Sequence, residues 1–362
     1  MSISRLSVTN LRNIGSAELL PCSGVNLIVG PNGSGKTSLL EAIYLLGRAR
    51  SFKSNKSAVF VRSGEKEATV YGEVNALASL PPVTIGVSKT LDGRHQLKVA
   101  GSFVSNTAAL LELLPIQLIE PDTFKLLSSG PNYRRQFVDW GVFHVEHVFF
   151  DVWQRLNRCL KQRNKLLRRG KIERSVLAVW DDEFVQYAAT LTEQRERYIE
   201  QLKPCFYRLL SELVAEDLCG IEIDFYQGWR ANTSLSEVLN AGLESDLKRG
   251  FTQAGPHRAD LRVRYLGQSA ADLLSRGQQK LVICALKIAQ GYLFSKSTGR
   301  TCIYLLDDLA AELDEVFRER LCKLLSTLDC QLFITSVDEQ LFSRSWPSMD
   351  VKVFHVKQGE LE

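Results

Sequence analysis

No run of eighteen or more apolar residues occurs in this chain of 362, so no segment is long enough to cross a bilayer as a helix. The opening MSISRLSVTNLRNI alternates polar with apolar residues and lacks the basic and apolar blocks of a secretion signal. A cytoplasmic protein with no membrane partner is expected. No CxxC pair is present either. The eight cysteines (Cys22, Cys159, Cys205, Cys219, Cys284, Cys302, Cys322 and Cys330) are dispersed in mostly apolar surroundings, which favours buried reduced thiols over a zinc site or disulfides. Charge of one sign is scarce: a net +4 gives the whole molecule too weak a field to attract an acidic partner, which would have to be met by a local patch. Repeats with a period of about 20 to 50 residues, low-complexity tracts and sustained apolar heptads are all missing, which excludes solenoids and long coiled coils.

With 45% hydrophobic and 24% charged residues, the composition suits a globular protein large enough for a substantial core and two lobes. Up to about residue 121 the chain reads as strands and turns around one helix, with half-buried alternation in SRLSVT, VNLIVG, ATVYGEV, VTIGVSK and RHQLKVAG. From Asp122 the period turns helical, in HVFFDVWQRLNRCLKQRNKLLRR and DDEFVQYAATLTEQRERYIEQLKPCFYRLLSELVAE. Past residue 250, α/β character returns in DLRVRYLG, a helix start at LSRGQQKLVICALKIAQGYLF, and the apolar runs CIYLLDD and CQLFITS. The expected fold class is α/β. Residues 1–121 and 251–362 would form one head of mixed sheet with helices, and 122–250 an inserted, mostly helical second lobe.

Gly30, Pro31, Asn32, Gly33, Ser34, Gly35, Lys36 and Thr37 fit the phosphate-binding pattern GxxxxGK[ST], between the strand VNLIV and the helix TSLLEAIYLL. Glycines let the backbone wrap round phosphates with its N–H groups turned inward at the positive end of a helix. Lys36 supplies a point charge to the β and γ phosphates of ATP, and Thr37 a hydroxyl to Mg²⁺. Far downstream, the apolar strand Ile303 to Leu306 ends in Asp307 and Asp308. A buried strand would deliver them to the same sheet edge, Asp307 to hold Mg²⁺ through water and Asp308 to face the attacking water. An Asp turn or helix cap would look the same in isolation. A third element, Leu274 to Lys280, opens an apolar helix. Ser275 as a cap with Gly277 allowing close backbone approach would make a second anion site, although a well-capped ordinary helix has the same pattern.

Taken together and in this order, the three elements resemble the ABC-type ATPases, with their LSGGQ signature and a loop ending in Leu-Asp after the Walker B strand, here Leu309 to Asp314. The resemblance implies that Ser275, Gly277 and Gln278 meet the γ phosphate held by a second copy, with Asp314 at the seam of an ATP-dependent homodimer. The helical segment is too long for a transporter's engine and far too short for an SMC arm. At residue level the chain is similar to the RecF family, a branch of the SMC-like ATPases, through LRNI (Leu11 to Ile14), GPNGSGKTSLLEAIYLLGRARSF, LIEPDTFKLLSSGPNYRRQFVDW, AGPHRADL, LSRGQQKL and LLDDLAAELD. This similarity implies an ATP-dependent DNA-binding protein of recombinational gap repair and replication restart, preferring single-stranded, gapped or junction DNA. It also implies recombinase loading with RecO and RecR and support of the SOS response. Against transporters, Asp308 replaces Glu and Ser336 replaces the usual switch His, which implies a weak ATPase used as a switch. Gln117 is a candidate for the glutamine-loop residue.

Between Arg155 and Arg174 stand nine cations and a single acid, Glu173. Arg155, Arg158, Lys161, Arg163, Lys165, Arg168 and Arg169 are therefore candidates for contacts to DNA phosphates, although a solvated helix face remains open as a reading. Arg48, Arg50, Lys53 and Lys56 could line the same surface or be plainly solvated. No base-reading module is visible, so such contacts would read phosphates and shape. His257 and Arg258 lie in a GPHRAD turn, where turn-stabilising and functional roles both stand. Without DNA binding, the alternative is a P-loop ATPase acting on a protein or small molecule.

Overall fold

The structure, a computed structural model, describes residues 1–54, 56–76, 81–169, 173–214, 218–308, 314–343, 345–346 and 349–362. By internal contacts the chain divides into two units, the first comprising 1–123, 212–215 and 284–362, the second 124–211 and 216–283.

The first unit is built on two six-stranded sheets with a helix between them. One is antiparallel, ordered Ile14–Leu19, Ser2–Leu11, Glu67–Asn75, Val83–Thr90, His95–Val99, Ser102–Val104. Its strands alternate, as in EATVYGEVN, where every second residue is buried, because only one face meets the core. The other runs Glu360–Leu361, Val351–Lys357, Val25–Val29, Leu332–Ser336, Ile303–Leu306, Ile116–Ile119, parallel throughout except at its first pair. VNLIV, LFITS, IYLL and IQLI are continuously buried, as expected for parallel strands covered on both faces. Helix Lys36–Arg48 packs its apolar residues into one core with both sheets, Leu39, Leu40, Ile43 and Leu46 meeting Leu6, Val70, Ile85, Ile28, Leu305 and Phe333. Gly72 permits this approach: a Cβ there would lie 2.5 Å from Leu46 Cδ1.

The second unit contains the helices Pro131–Val145 and Phe149–Leu167 and most of Arg174–Leu213. It also holds a three-stranded antiparallel sheet ordered Gln268–Ser269, Asp260–Tyr265, Ile221–Tyr226. DLRVRYLG therefore does not join the head's sheet, contrary to expectation. Asp260–Tyr265 pairs with Ile221–Tyr226, so that Leu261, Val263, Ile221 and Ile223 bury their side chains together, and by contacts the return to the first unit comes at Cys284 instead of residue 251.

Arg163 anchors this unit. Fully buried, it sends Nε to Asp181 Oδ1 (2.6 Å) and Nη1 to Asp246 Oδ2 and Thr252 Oγ1 (2.7 and 2.8 Å). Its neighbour Asn164 accepts from both Thr252 N and Thr252 Oγ1. The other side of Thr252 is held by His257, whose Nε2–H donates to the Thr252 carbonyl at 3.0 Å while the ring lies against Phe184. His257 is thus a turn-fixing residue, its basicity lowered by burial to about 4 from the usual 6.5.

Arg163→Ala leaves the buried Asp246 and the half-buried Asp181 without their cation and is expected to cost about 3–5 kcal/mol of stability, read from denaturant unfolding of the full chain; a loss below ~1 kcal/mol would mean the pairs are not holding the lobe. For His257 the unfolded chain takes up the proton first, since its value of 6.5 lies above the folded one of about 4. Stability should fall as pH drops through that window, by up to about 3 kcal/mol from this residue. Urea midpoints at pH 7 and 4.5 should show a smaller acid loss in His257→Gln than in the wild type, and equal losses would exclude the histidine as the source.

Candidate nucleotide site

Strand Val25–Val29 runs into the loop Gly30 to Gly35 and then into helix Lys36–Arg48. Because the sheet is parallel, the ends of Val25–Val29, Leu332–Ser336 and Ile303–Leu306 lie along one edge, where ligands of open α/β sheets bind. Gly33 and Gly35 take φ of 79° and 120°, in the left-handed region that only glycine enters cheaply. A Cβ on Gly35 would also press on Asn13 Nδ2 at 3.1 Å. The loop is braced from behind: Asn13 Nδ2 donates to Gly33 O, Ser38 Oγ donates to Asn13 Oδ1, and Gly359 N donates to Ser34 O.

Three features of the loop fit phosphates. Helix Lys36–Arg48 has no side-chain cap at its N-terminus, leaving the amides of its first turn to an anion. Ser34 Oγ is buried with no hydrogen-bond partner among the described residues. Lys36, itself 4% exposed, turns its Nζ onto the loop's own carbonyls, Gly30 O at 2.7 Å and Pro31 O at 3.0 Å.

Beside the loop, Asp307 Oδ1 accepts from Thr37 Oγ1 and Thr335 Oγ1, each at 2.9 Å. Asp307 Oδ2 faces Lys53 Nζ at 3.6 Å. Burial raises the Asp307 carboxyl above its ordinary value, against the pull of Lys53 and the two hydroxyls. A carboxylate and a hydroxyl meeting at a phosphate loop are hard oxygen donors of the kind Mg²⁺ takes, its remaining positions going to water and phosphate. Asp308 follows with φ 49°, a conformation an aspartate tolerates at some strain, and its N–H donates to Thr335 Oγ1 at 2.8 Å. Ser336 closes its own turn, donating to Asp338 O and accepting from Asp338 N, so it offers no free base where a histidine could have stood.

The signature segment makes a reciprocal capping box: Ser275 Oγ accepts from Gln278 N, and Gln278 Oε1 accepts from Ser275 N. Gln279 Nε2 fastens the turn to Ala271 O and Leu274 O. Ser275 and Gly277 are exposed, and a Cβ on Gly277 would meet nothing closer than Ser275 Oγ at 3.9 Å, so a backbone face stays open there. Asp314 caps helix Glu315–Ser326 through Phe317 N, while Leu309 to Leu313 lie outside the described residues.

Several sequence-based expectations change. Gln117 is 1% exposed and pairs with Gln290 inside the core, so it presents no amide to a ligand. Arg163 is withdrawn from the basic face because its guanidinium is spent on Asp181 and Asp246. Lys53, though exposed, faces Asp307, and Arg48 is half-buried over the Tyr44 ring, which leaves Arg50 and Lys56 as the exposed members of that group turned to neither. Arg155, Arg158, Lys161, Lys165, Arg168 and Arg169 are all exposed; the first four share one side of helix Phe149–Leu167 and the last two follow its end. Asn13, Lys53 and Thr335 are site residues the motifs did not reveal. They stand in a turn after the first strand, in the segment after the first helix and at a strand end one strand away from Asp307; LRNI contains Asn13 and the basic group Lys53, but neither pattern carries the role the structure gives them.

The sequence matches the family described as RecF/RecN/SMC N terminal domain over residues 2–362. It is 49% identical to the DNA replication and repair protein RecF of Pseudomonas fluorescens, across 100% of this chain and 98% of that one. With the protein of the same name from Pseudomonas putida it shares 48% at the same coverage. A solved structure of the recombination mediator protein RecF-ATP in the RecFOR pathway superposes with a TM-score of 0.87 at 29% identity, covering 99% of this chain and 96% of that one. An Smc head domain from Pyrococcus yayanosii, 15% identical with a TM-score of 0.59 over 99% of this chain and 96% of its own, shares the fold. The chain belongs to the RecF family of SMC-like ATPases.

Proposed function

We propose that the chain is a nucleotide-gated DNA clamp of gap repair and replication restart. Two copies close on ATP and Mg²⁺, hold DNA while closed, and part when slow hydrolysis removes the γ phosphate. The observation that carries this reading is the meeting of Thr37, Asp307 and Thr335 beside a glycine loop whose lysine is already turned inward. Gly30 to Thr37 cradle the phosphates, Lys36 neutralises them, and Thr37 with Asp307 holds Mg²⁺. Asp308 orients the attacking water. One methylene shorter than glutamate, it suits a timed switch better than a motor. Ser275, Gly277 and Gln278 of the second copy complete the site, with Asp314 at the seam. By contacts the ATPase head draws mainly on 1–123 and 284–362, while Asp260–Tyr265 belongs to the lobe between them.

DNA is assigned to the exposed cations Arg155, Arg158, Lys161, Lys165, Arg168 and Arg169, whose helix carries only one acid, Asp151. The RecFOR pathway named for the solved RecF-ATP structure supports RecO and RecR as partners; single-stranded, gapped or junction DNA as substrate and a role in the SOS response belong to the same proposal. A cytoplasmic location fits those partners. Among the described residues no helix is long and apolar enough to cross a membrane.

Changing Arg155, Arg158, Lys165 and Arg168 together to Ala should weaken binding to all DNA sequences alike. The slope of log affinity against log salt should flatten by roughly one unit for each phosphate left without its cation, with ATP affinity unchanged. An unchanged slope moves the DNA site off this helix. A wild-type chain with no DNA affinity, with or without Mg·ATP, would favour an ATPase acting on a protein or small molecule.

The shared site is tested with lesions on its two sides. Lys36→Ala and Ser275→Arg should each abolish hydrolysis alone. Mixed one to one, half the dimers would collect both lesions in one site and keep the other intact. If sites fire independently, roughly a quarter of wild-type hydrolysis should return. Sedimentation with ATP reports dimerisation in parallel. A mixture that neither dimerises nor hydrolyses ATP, from chains that remain folded, contradicts the shared site.

A further inference from the structure

We propose that Lys53 is the resident counter-ion of the metal pocket, displaced when Mg²⁺ is loaded. The inference rests on the nucleotide-site reading above. Asp307 presents one oxygen to the hydroxyls of Thr37 and Thr335, and the other to Lys53 Nζ. A carboxylate 2% exposed demands a nearby cation, and Lys53 is the one the structure places there. The ion pair is removable. At 3.6 Å it is longer than a hydrogen bond, and the lysine side chain is 44% exposed, so the ammonium can leave for water. A divalent ion bound to Asp307 would sit within a few ångströms of that ammonium, where like charges repel strongly, so the two cannot share the carboxylate.

The backbone under Lys53 is fixed, which confines the movement to its side chain. Ser51 Oγ accepts from Lys53 N (3.1 Å) and Ser54 N (2.9 Å), and donates to Glu41 Oε1. Glu41 lies fully buried on helix Lys36–Arg48 and is gripped by Arg12 through Nε and Nη2. Arg12 adjoins Asn13, the residue that braces Gly33. Through the adjoining residues Arg12 and Asn13, hydrogen bonds therefore connect the back of the phosphate loop and the base of Lys53. A fixed base with a free tip suits a cation that steps aside without unfolding its loop.

The test uses the full chain, a fluorescent N-methylanthraniloyl ATP and a Mg²⁺ titration. With its competitor gone, Lys53→Met should need about two- to five-fold less Mg²⁺ for half-maximal nucleotide binding, the range of a partly exposed ion pair. Affinity in EDTA should not change, and Lys53→Arg should stay near the wild-type midpoint. Acetylation at Lys53, followed by mass spectrometry, should quicken when Mg²⁺ and nucleotide are both present. An unchanged or raised midpoint in Lys53→Met overturns the proposal. Weakened affinity in EDTA, or protection of Lys53 from acetylation by Mg·nucleotide, also overturns it and makes Lys53 a phosphate ligand. If the wild-type chain shows no Mg²⁺-dependent nucleotide binding, the nucleotide-site reading falls and takes this one with it, whereas binding with an unshifted midpoint sinks Lys53 alone.

Discussion

A single buried carboxylate organises the head. Asp307 ends a strand whose other residues are all buried, so its charge must be met by what neighbouring strands and loops bring to the same edge. Thr335 comes from the adjacent strand, Thr37 from the first turn of the P-loop helix, and Lys53 from the segment after that helix. Each hydrogen bond fixes one element's register against the edge, while the longer Lys53 pair balances the charge. Thr335 does so twice, since its hydroxyl also receives Asp308 N and thereby holds Asp308 in its left-handed conformation. Moving the strand Ile303–Leu306 by one residue would turn Asp307 away from the edge and leave a charge buried without partners.

The packing behind that edge explains why it holds still. A helix buried on nearly every face between two sheets has no freedom to slide, and Gly72 removes the one Cβ that would keep the antiparallel sheet away from Leu46. The antiparallel sheet also reaches the site directly: Arg12 and Asn13, in the turn after its strand Ser2–Leu11, hold Glu41 and the glycine loop. That sheet is a working part of the nucleotide site as well as a cover for the core.

How much of this was legible in sequence depended on distance along the chain. The phosphate loop was readable because eight consecutive residues carry it, and the strands in CIYLLDD and CQLFITS because their apolar runs are unbroken, whereas VNLIV, expected to be half-buried, is buried throughout. Asn13 and Thr335 were not, since a lone asparagine in a turn and a lone threonine at a strand end acquire meaning only when sheet order sets them beside Gly33 and Asp307. Lys53 read as one of a basic group for the same reason. Arg163 read as surface charge because helical spacing does not separate an arginine facing water from one facing Asp181 and Asp246 across the lobe. The strand IEIDFY sat unnoticed amid helical segments, and with it the partner that draws Asp260–Tyr265 into the lobe's own sheet.

Lys36, Asp307 and Ser275, on which the proposed composite site depends, already have partners within their own chain. Lys36 has two carbonyls, Asp307 two hydroxyls and an ammonium, and Ser275 its capping glutamine. Such a site carries little unpaired charge to drive a second copy onto it, because groups satisfied beforehand gain only the difference between old and new bonds. The ligand must therefore supply the difference. Phosphate charge is what Lys36 would prefer to its own-chain carbonyls and what the uncapped helix amides and the open backbone at Gly277 are placed to receive, and Mg²⁺ is what Asp307 would prefer to Lys53. On the proposed reading, a dimer held by such exchanges would form when nucleotide and metal are present and weaken once the γ phosphate is gone, since a ligand shifts a two-state balance only by its preference for one state. Self-satisfaction in the resting chain is thus what the proposed clamp would need in order to open again.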